Sequence, residues 1–309
     1  MNKLVSSFAT VDPFDGMTGS SPAKAQNLVG GQWVSDAKTL TVPDPLNGEP
    51  FIEMPDTQDV APFVAGLRSC PKTGLHNPLK NVERYVDLGR VCAKASALLA
   101  EPEVEDFFTR LIQRVMPKSW NQCRAEVIVT RTFLQNFAGD GVRFLARGFS
   151  NPGDRTGQQS NGYRWPYGPV VIVAPFNFPL EIPALQVMGA LFMGNRPLLK
   201  SATTVDIVIE QFVRFLLHCG LNPNDLDFIH CGGRTMGRLI EEAKDTIRCW
   251  VPTSTRTGWT TLPGSPTKMP TTRPDRSALH RASCSPTTTG PMRFCRSSAR
   301  SPPAASSTT

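Results

Sequence analysis

Gly168-Pro-Val-Val-Ile-Val-Ala-Pro-Phe-Asn-Phe-Pro179 is the stretch from which the fold is read. The β-branched run at 170–173 has the character of a strand buried on both faces. Ala174 and Pro175 end it, because a proline has no N–H to give to a ladder. Pro183 suits the first turn of a following helix, where a missing N–H costs nothing. The mostly apolar run 184–193 continues that helix, and Gly194-Asn195 stops it. Arg196-Pro-Leu-Leu-Lys200 has the look of the next strand. The spacing therefore predicts a strand–turn–helix–strand unit with Asn177 exposed in the turn. Ligands of open α/β sheets bind at such carboxyl ends of strands. Read from pattern alone, Asn177 fits equally well as a residue that only supports the turn.

Downstream, 204–219 predicts a helix, 227–230 a short strand, 231–233 a turn, 235–243 a helix and 246–251 a strand. The alternation implies a parallel sheet with crossovers on its faces. Upstream, Asn27-Leu-Val-Gly-Gly-Gln-Trp-Val34 predicts a strand pair, and Asn47-Gly48 a second hairpin turn between apolar flanks. A helix is expected from about 57 to 70. From Asn81 the apolar period turns helical: Tyr85, Leu88, Cys92, Ala95 and Leu99 share one face. Further helices are expected at about 104–115 and 123–147, the set forming a helical layer on the sheet. Residues 147–162 are Gly-, Ser- and Asn-rich and suit a solvent loop or a hairpin excursion. Residues 1–25 have the look of a loose arm.

The chain has 309 residues, a formal net charge of +7 and 40% hydrophobic residues, enough for a substantial core. From 251 onward the basic residues are Arg256, Lys268, Arg273, Arg276, Arg281, Arg293, Arg296 and Arg300. Against these eight stands only Asp275, which accounts for the whole +7. The body is balanced and is not expected to bind nucleic acid. Eight cysteines without a Cys-x-x-Cys spacing imply free thiols in a reducing compartment. The four histidines lack metal-ligand spacing, so no metal is expected. No apolar run is long enough to span a membrane, and the first residues make a poor transit peptide. Beyond Gly258, Thr, Pro, Ser and Arg make up roughly two-thirds of the chain, a bias that predicts disorder.

Pro175-Phe-Asn-Phe-Pro179 resembles the Pro-aromatic-Asn-aromatic-Pro element of the aldehyde dehydrogenase superfamily. Asp44-Pro-Leu-Asn-Gly-Glu-Pro50 resembles that family's early turn. The spacings from Asn177 to Lys200, Gly233 and Gly237 are similar too. More narrowly, Gly74-Leu-His-Asn-Pro78, Leu111-Ile-Gln-Arg-Val115, Val142-Arg-Phe-Leu-Ala-Arg147 and Gly162-Tyr-Arg-Trp-Pro-Tyr-Gly-Pro169 resemble the plant- and protist-type delta-1-pyrroline-5-carboxylate dehydrogenases. Those enzymes oxidise glutamate semialdehyde with NAD in mitochondrial proline breakdown. The resemblance covers about residues 7 to 250.

The resemblance implies an α/β fold of the aldehyde dehydrogenase type, with a Rossmann-like parallel sheet and an N-terminal helical layer. It makes 26–258 an incomplete NAD-binding domain, with 148–166 as a hairpin for homo-oligomerisation and 259–309 as an unrelated tail. It implies NAD as cofactor, a small aldehyde as substrate, and a mitochondrial location, or otherwise a cytoplasmic one. Asn177 would donate to an oxyanion. Val173, Ala174, Pro175 and Phe176 would line the cofactor cleft. Lys200 would reach ribose hydroxyls, although alone it reads also as a snorkelling edge residue. Gly233 and Gly237 would let a helix approach the pyrophosphate, although without the resemblance they read as ordinary turn and helix-packing glycines, and Ser254 would follow in the family's glycine turn. The departures are Thr203 in place of a Glu and Val251-Pro-Thr-Ser254 in place of Phe-Thr-Gly-Ser. After Gly258 the family's nucleophilic Cys and general-base Glu elements have no counterpart. Neither Cys284 nor Cys295 stands in the expected setting, and 259–309 contains no Glu. Inactivity as it stands is therefore expected, the alternative being a non-catalytic fragment that binds nucleotide weakly or pairs with intact subunits.

Overall fold

The chain opens with a short helix, α1 (Lys3–Ser6), capped by the Asn2 side chain on the Leu4 N–H. The expectation of a loose arm at 1–25 is corrected here. Val5, Phe8, Val11 and Met17 are buried in the main core. The Phe8 ring lies 5.8 Å from Phe107 and 5.2 Å from Phe215, so aromatic contact holds the segment down. The computed structural model of the protein describes residues 2–77, 79–247 and, as backbone, 249–252. The expectations for Ser254 and for 259–309 lie outside the described residues.

Strands β1 (Ala23–Lys24), β2 (Asn27–Val29), β3 (Gln32–Val34), β4 (Thr39–Pro43) and β5 (Pro50–Pro55) follow. β2 and β3 form the expected hairpin, with Gly30 and Gly31 both at positive φ, as its two-residue turn requires. β4 and β5 pair antiparallel around Asn47-Gly48, and β1 adds parallel to β5.

Four helices come next: α2 (Ala61–Ser69), α3 (Glu83–Leu98), α4 (Pro102–Val115) and α5 (Trp120–Asn136). Ser119 and Gln122 make a reciprocal capping box at the start of α5. α5 stops at Asn136 rather than running to 147. Gly139, at φ 61°, turns the chain, and its N–H donates to the Gly89 carbonyl of α3. A 3-10 turn over Gly141–Ala146 leads to the exposed hairpin of β6 (Phe149–Pro152) and β7 (Gln159–Gly162).

The central unit is β8 (Pro169–Val173), α6 (Glu181–Phe192) and β9 (Arg196–Lys200), as expected. It continues through α7 (Asp206–His218), β10 (Asp227–Phe228), α8 (Gly233–Glu242) and β11 (Cys249–Pro252). The sheet runs β11-β8-β9-β10-β2-β3. Its first four strands are parallel. The sheet is nonetheless mixed, because the β2–β3 hairpin joins β10 antiparallel. Residues alternate across it: Val171 and Leu198 pack in the small core of α2 and α8, whereas Ile172 and Leu199 join the large core of α6 and α7. The helical layer of α3–α5 packs against α6 and α7. α6 is thus covered on both sides, which is why its sequence is apolar nearly all round.

Candidate functional site

The carboxyl edge of the parallel strands gathers the expected site residues. Val173 and Lys200 are the last register pair of β8 and β9, and Pro252 of β11 pairs with Val173 on the other side. The Ala174 N–H still donates to the Lys200 carbonyl at 2.8 Å, so the strands stay zipped to the start of the turn. Val173 and Pro175 are half-buried and Ala174 is buried. Phe176, Asn177 and Phe178 stand out of the turn, with Phe176 56% exposed.

Such a turn has little apolar burial to hold it. Its anchor comes from α5. The Glu126 side chain is fully buried, and its Oε1 accepts from the Leu180 and Glu181 backbone N–H groups at 2.7 and 3.0 Å. These are orphan donors at the start of α6, whose own N-cap residue, Leu180, supplies no side-chain cap. Glu126 Oε2 accepts from Lys118 Nζ at 3.1 Å, and the same Nζ lies 4.1 Å from the Phe178 ring centroid. Burial raises the Glu181 carboxyl above its usual range, and the Glu126 charge adds to the effect.

Lys200 is no snorkelling edge residue. β9 has neighbours on both sides, and Lys200 is 7% exposed. Its Nζ folds back to donate to the Ser201 carbonyl at 2.7 Å. The buried Ser201 Oγ has no hydrogen-bond partner among the described residues. β10 delivers His230, Cys231 and Gly232 to the same edge, with the Ile229 N–H on the Leu199 carbonyl. Gly232 is the N-cap of α8 and provides no side-chain acceptor, and Gly233 is the first helical residue. Gly237 follows one turn later, so both glycines lie on one side of α8. Asn177, Val173, Ala174, Pro175, Phe176 and Lys200 are thus brought together by β8 and β9, and Gly233 by β10.

Under this edge lies a polar network that periodicity did not reveal. His230 is wholly buried, with Nδ1 3.2 Å from Asp206 Oδ2 and Nε2 3.2 Å from Glu210 Oε2. Its backbone N–H donates to Asn27 Oδ1 at 2.7 Å, and Asn27 Nδ2 donates to Thr57 Oγ1 at 2.8 Å. Arg214 closes the network on Glu210 and stacks 3.7 Å from the Trp33 ring centroid. Glu126 was missed too, although a signal existed: it falls at helical spacing among Cys123, Val127 and Thr130 on the buried side of α5.

Cys70, Cys92, Cys123, Cys219 and Cys231 are buried and free. Burial pushes the Cys92, Cys219 and Cys231 thiols up to about 12. In Cys231 the nearby Lys200 charge opposes that rise without reversing it. Cys70 and Cys123 are raised by burial as well. At neutral pH these are thiols, not thiolates. Among the described residues no group of His, Cys, Asp and Glu is arranged to hold a metal, and no helix is long and apolar enough to cross a membrane.

Comparison with known proteins fits this geometry. Residues 33–262 match the model of the aldehyde dehydrogenase family. The mitochondrial delta-1-pyrroline-5-carboxylate dehydrogenase 12A1 of Arabidopsis thaliana is 56% identical over 238 residues, covering 76% of this chain and 43% of that protein. Malonate-semialdehyde dehydrogenase 1 of Geobacillus thermodenitrificans is 28% identical over 70% of this chain and 43% of its own. The chain therefore spans less than half the length of these curated relatives. The solved methylmalonate-semialdehyde dehydrogenase of Oceanimonas doudoroffii superimposes with a TM-score of 0.63 at 19% identity, over 74% of this chain and 45% of that one. An NAD-dependent benzaldehyde dehydrogenase of Corynebacterium glutamicum gives 0.61 at 18% identity, over 79% of this chain and 48% of that one. At such identities the structural likeness speaks for the fold.

Proposed function

The chain belongs to the aldehyde dehydrogenase family, and from that membership we propose that it carries the cofactor cleft and oxyanion turn of an NAD-dependent delta-1-pyrroline-5-carboxylate dehydrogenase. The substrate of the whole protein would be glutamate semialdehyde, and its place mitochondrial proline breakdown. The observation that carries this reading is the Val173–Lys200 register, which sets the Asn177 turn beside a buried ammonium at the carboxyl edge of the sheet.

The residues fit a dinucleotide. Lys200 Nζ uses one donor on Ser201 and has two more N–H groups for ribose hydroxyls. The Ser201 Oγ, which has no hydrogen-bond partner among the described residues, adds a further polar atom there. The start of α8 has no side-chain cap, and Gly233 would admit a pyrophosphate to its N–H groups. Val173, Ala174, Pro175 and Phe176 would offer backbone and apolar surface to the bases. Thr203 cannot accept as a carboxylate would, so affinity is expected to be weak. In a whole enzyme, a nicotinamide held here would supply the hydride acceptor.

Asn177 Nδ2, exposed in its turn, would donate to the oxyanion formed when a thiolate attacks an aldehyde. The thiolate is not supplied by Cys70, Cys92, Cys123, Cys219 or Cys231, all buried and protonated at neutral pH. Cys284 and Cys295 lack the family's setting, and 259–309 has no Glu to serve as base. As it stands, the chain would bind nucleotide without oxidising aldehyde. The exposed β6–β7 hairpin, with Phe149 48% exposed, would serve self-association or pairing with intact subunits. Titration of the full chain with NAD and with NADP tests the cofactor reading. Saturable binding of either supports it, a preference for NAD supports its finer form, and binding of neither overturns it.

A further inference from the structure

We propose that Glu126 and Lys118 are positioning residues that set the Asn177 turn from outside the sheet. Three observations carry this. The turn is exposed at Phe176, Asn177 and Phe178, so packing alone gives it little definition. The first two backbone donors after it, Leu180 and Glu181, both end on one buried oxygen of Glu126. The other oxygen holds Lys118, whose ammonium sits on the face of Phe178, the residue next to Asn177. The pair thus grips the turn on both sides of Pro179, by charge-assisted hydrogen bonds behind it and a cation–π contact within it.

The Glu126 side chain is 0% exposed and Lys118 14%, so this is not a solvent-screened surface pair. Its carboxylate satisfies donors that α6 leaves orphaned, and Lys118 balances its charge. α5 reaches the same point by packing on α6. The catalytic worth of the positioning rests on the oxyanion reading of Asn177, whereas the positioning itself does not.

The test is nuclear magnetic resonance of the full chain labelled with nitrogen-15, comparing wild type, Glu126→Gln, Glu126→Met and Lys118→Met. Met fills the volume of Glu but accepts no strong hydrogen bond. Gln keeps an acceptor oxygen. Amide exchange at Leu180 and Glu181 should rise by about 10- to 150-fold in Glu126→Met, the loss of one charge-assisted bond at each, and by less in Glu126→Gln, whose amide oxygen still accepts but carries no charge. The Asn177 side-chain amide signals should move or broaden in Glu126→Met. In Lys118→Met they should do so while Leu180 and Glu181 remain protected. Wild-type behaviour of Glu126→Met would show that Glu126 only fills space, and would overturn its role. If Glu126→Met does not fold, Glu126→Gln and Lys118→Met still decide. Exchange at Leu180 and Glu181 no faster in Glu126→Gln than in wild type, or unchanged Asn177 signals in Lys118→Met, would overturn the proposal. A chain that binds no nucleotide leaves these readouts intact, so failure of the cofactor reading is separately visible.

Discussion

Val173 and Lys200 face each other as the terminal register pair of β8 and β9, one ending a strand that becomes the Asn177 turn, the other ending in a buried ammonium. A ribose hydroxyl on Lys200 Nζ would make a charge-assisted hydrogen bond worth roughly 1.5 to 3 kcal/mol. Lys200→Ala is therefore expected to weaken nucleotide binding by about 10- to 150-fold. Calorimetric titration of both proteins with NAD checks this. Equal affinities would mean that Lys200 serves only its own strand end.

Aldehyde oxidation by this chain is expected to be absent. Incubation with NAD and glutamate semialdehyde, followed by NADH absorbance, should stay at background. Turnover within the usual range of about 1 to 1000 per second, abolished by Cys295→Ser, would show that a nucleophile had been overlooked.

Gly89→Ala should destabilise the protein, against the ordinary gain from replacing a helical glycine by alanine. Gly89 lies inside α3 where the turn after α5 docks, with the Gly139 N–H on its carbonyl. A Cβ there would overlap the Gly139 carbonyl oxygen. The expected loss is about 1 to 3 kcal/mol or more, read from the midpoint of urea unfolding. A neutral or stabilising result would show that the contact relaxes freely.

The central unit was legible because its signals are local: a β-branched run, Pro175, the apolar helix and Gly194 lie within one stretch of chain. The β2–β3 hairpin was legible as a hairpin from Gly30-Gly31, but not as two further strands of the main sheet. That docking depends on distant partners, such as Asn27 on the His230 N–H. The first residues gave no period, since Phe8 is held by rings from α4 and α7 and not by its own neighbours. The Asn177 turn was found by resemblance, whereas Glu126 and Lys118 were not, because their role exists only once α5 lies against α6. His230 looked ordinary in the sequence, for its carboxylates come from the next helix back.

That histidine makes the stability of the fold depend on pH. Burial alone would push the His230 imidazole down, but hydrogen bonds to Asp206 and Glu210, with their charges, raise it to about 9 from an ordinary 6.5. Arg214 holds Glu210 from the far side, and Asp206 Oδ1 has no hydrogen-bond partner among the described residues. A histidine raised in the folded state binds its proton more tightly there than in the unfolded chain. Its contribution is full below pH 6.5 and is lost as pH rises through about 9. That shift corresponds to a contribution on the order of 3 kcal/mol. Unfolding free energy should therefore fall between pH 6.5 and 9.5 in the wild type, by an amount of that order. His230→Gln should be less stable at pH 6.5 and should show a flatter profile over the same window, because it removes the titrating group but keeps hydrogen-bonding atoms. Urea unfolding across the pH series measures both slopes. A wild-type profile as flat as that of the variant would mean that His230 is neutral in the folded protein.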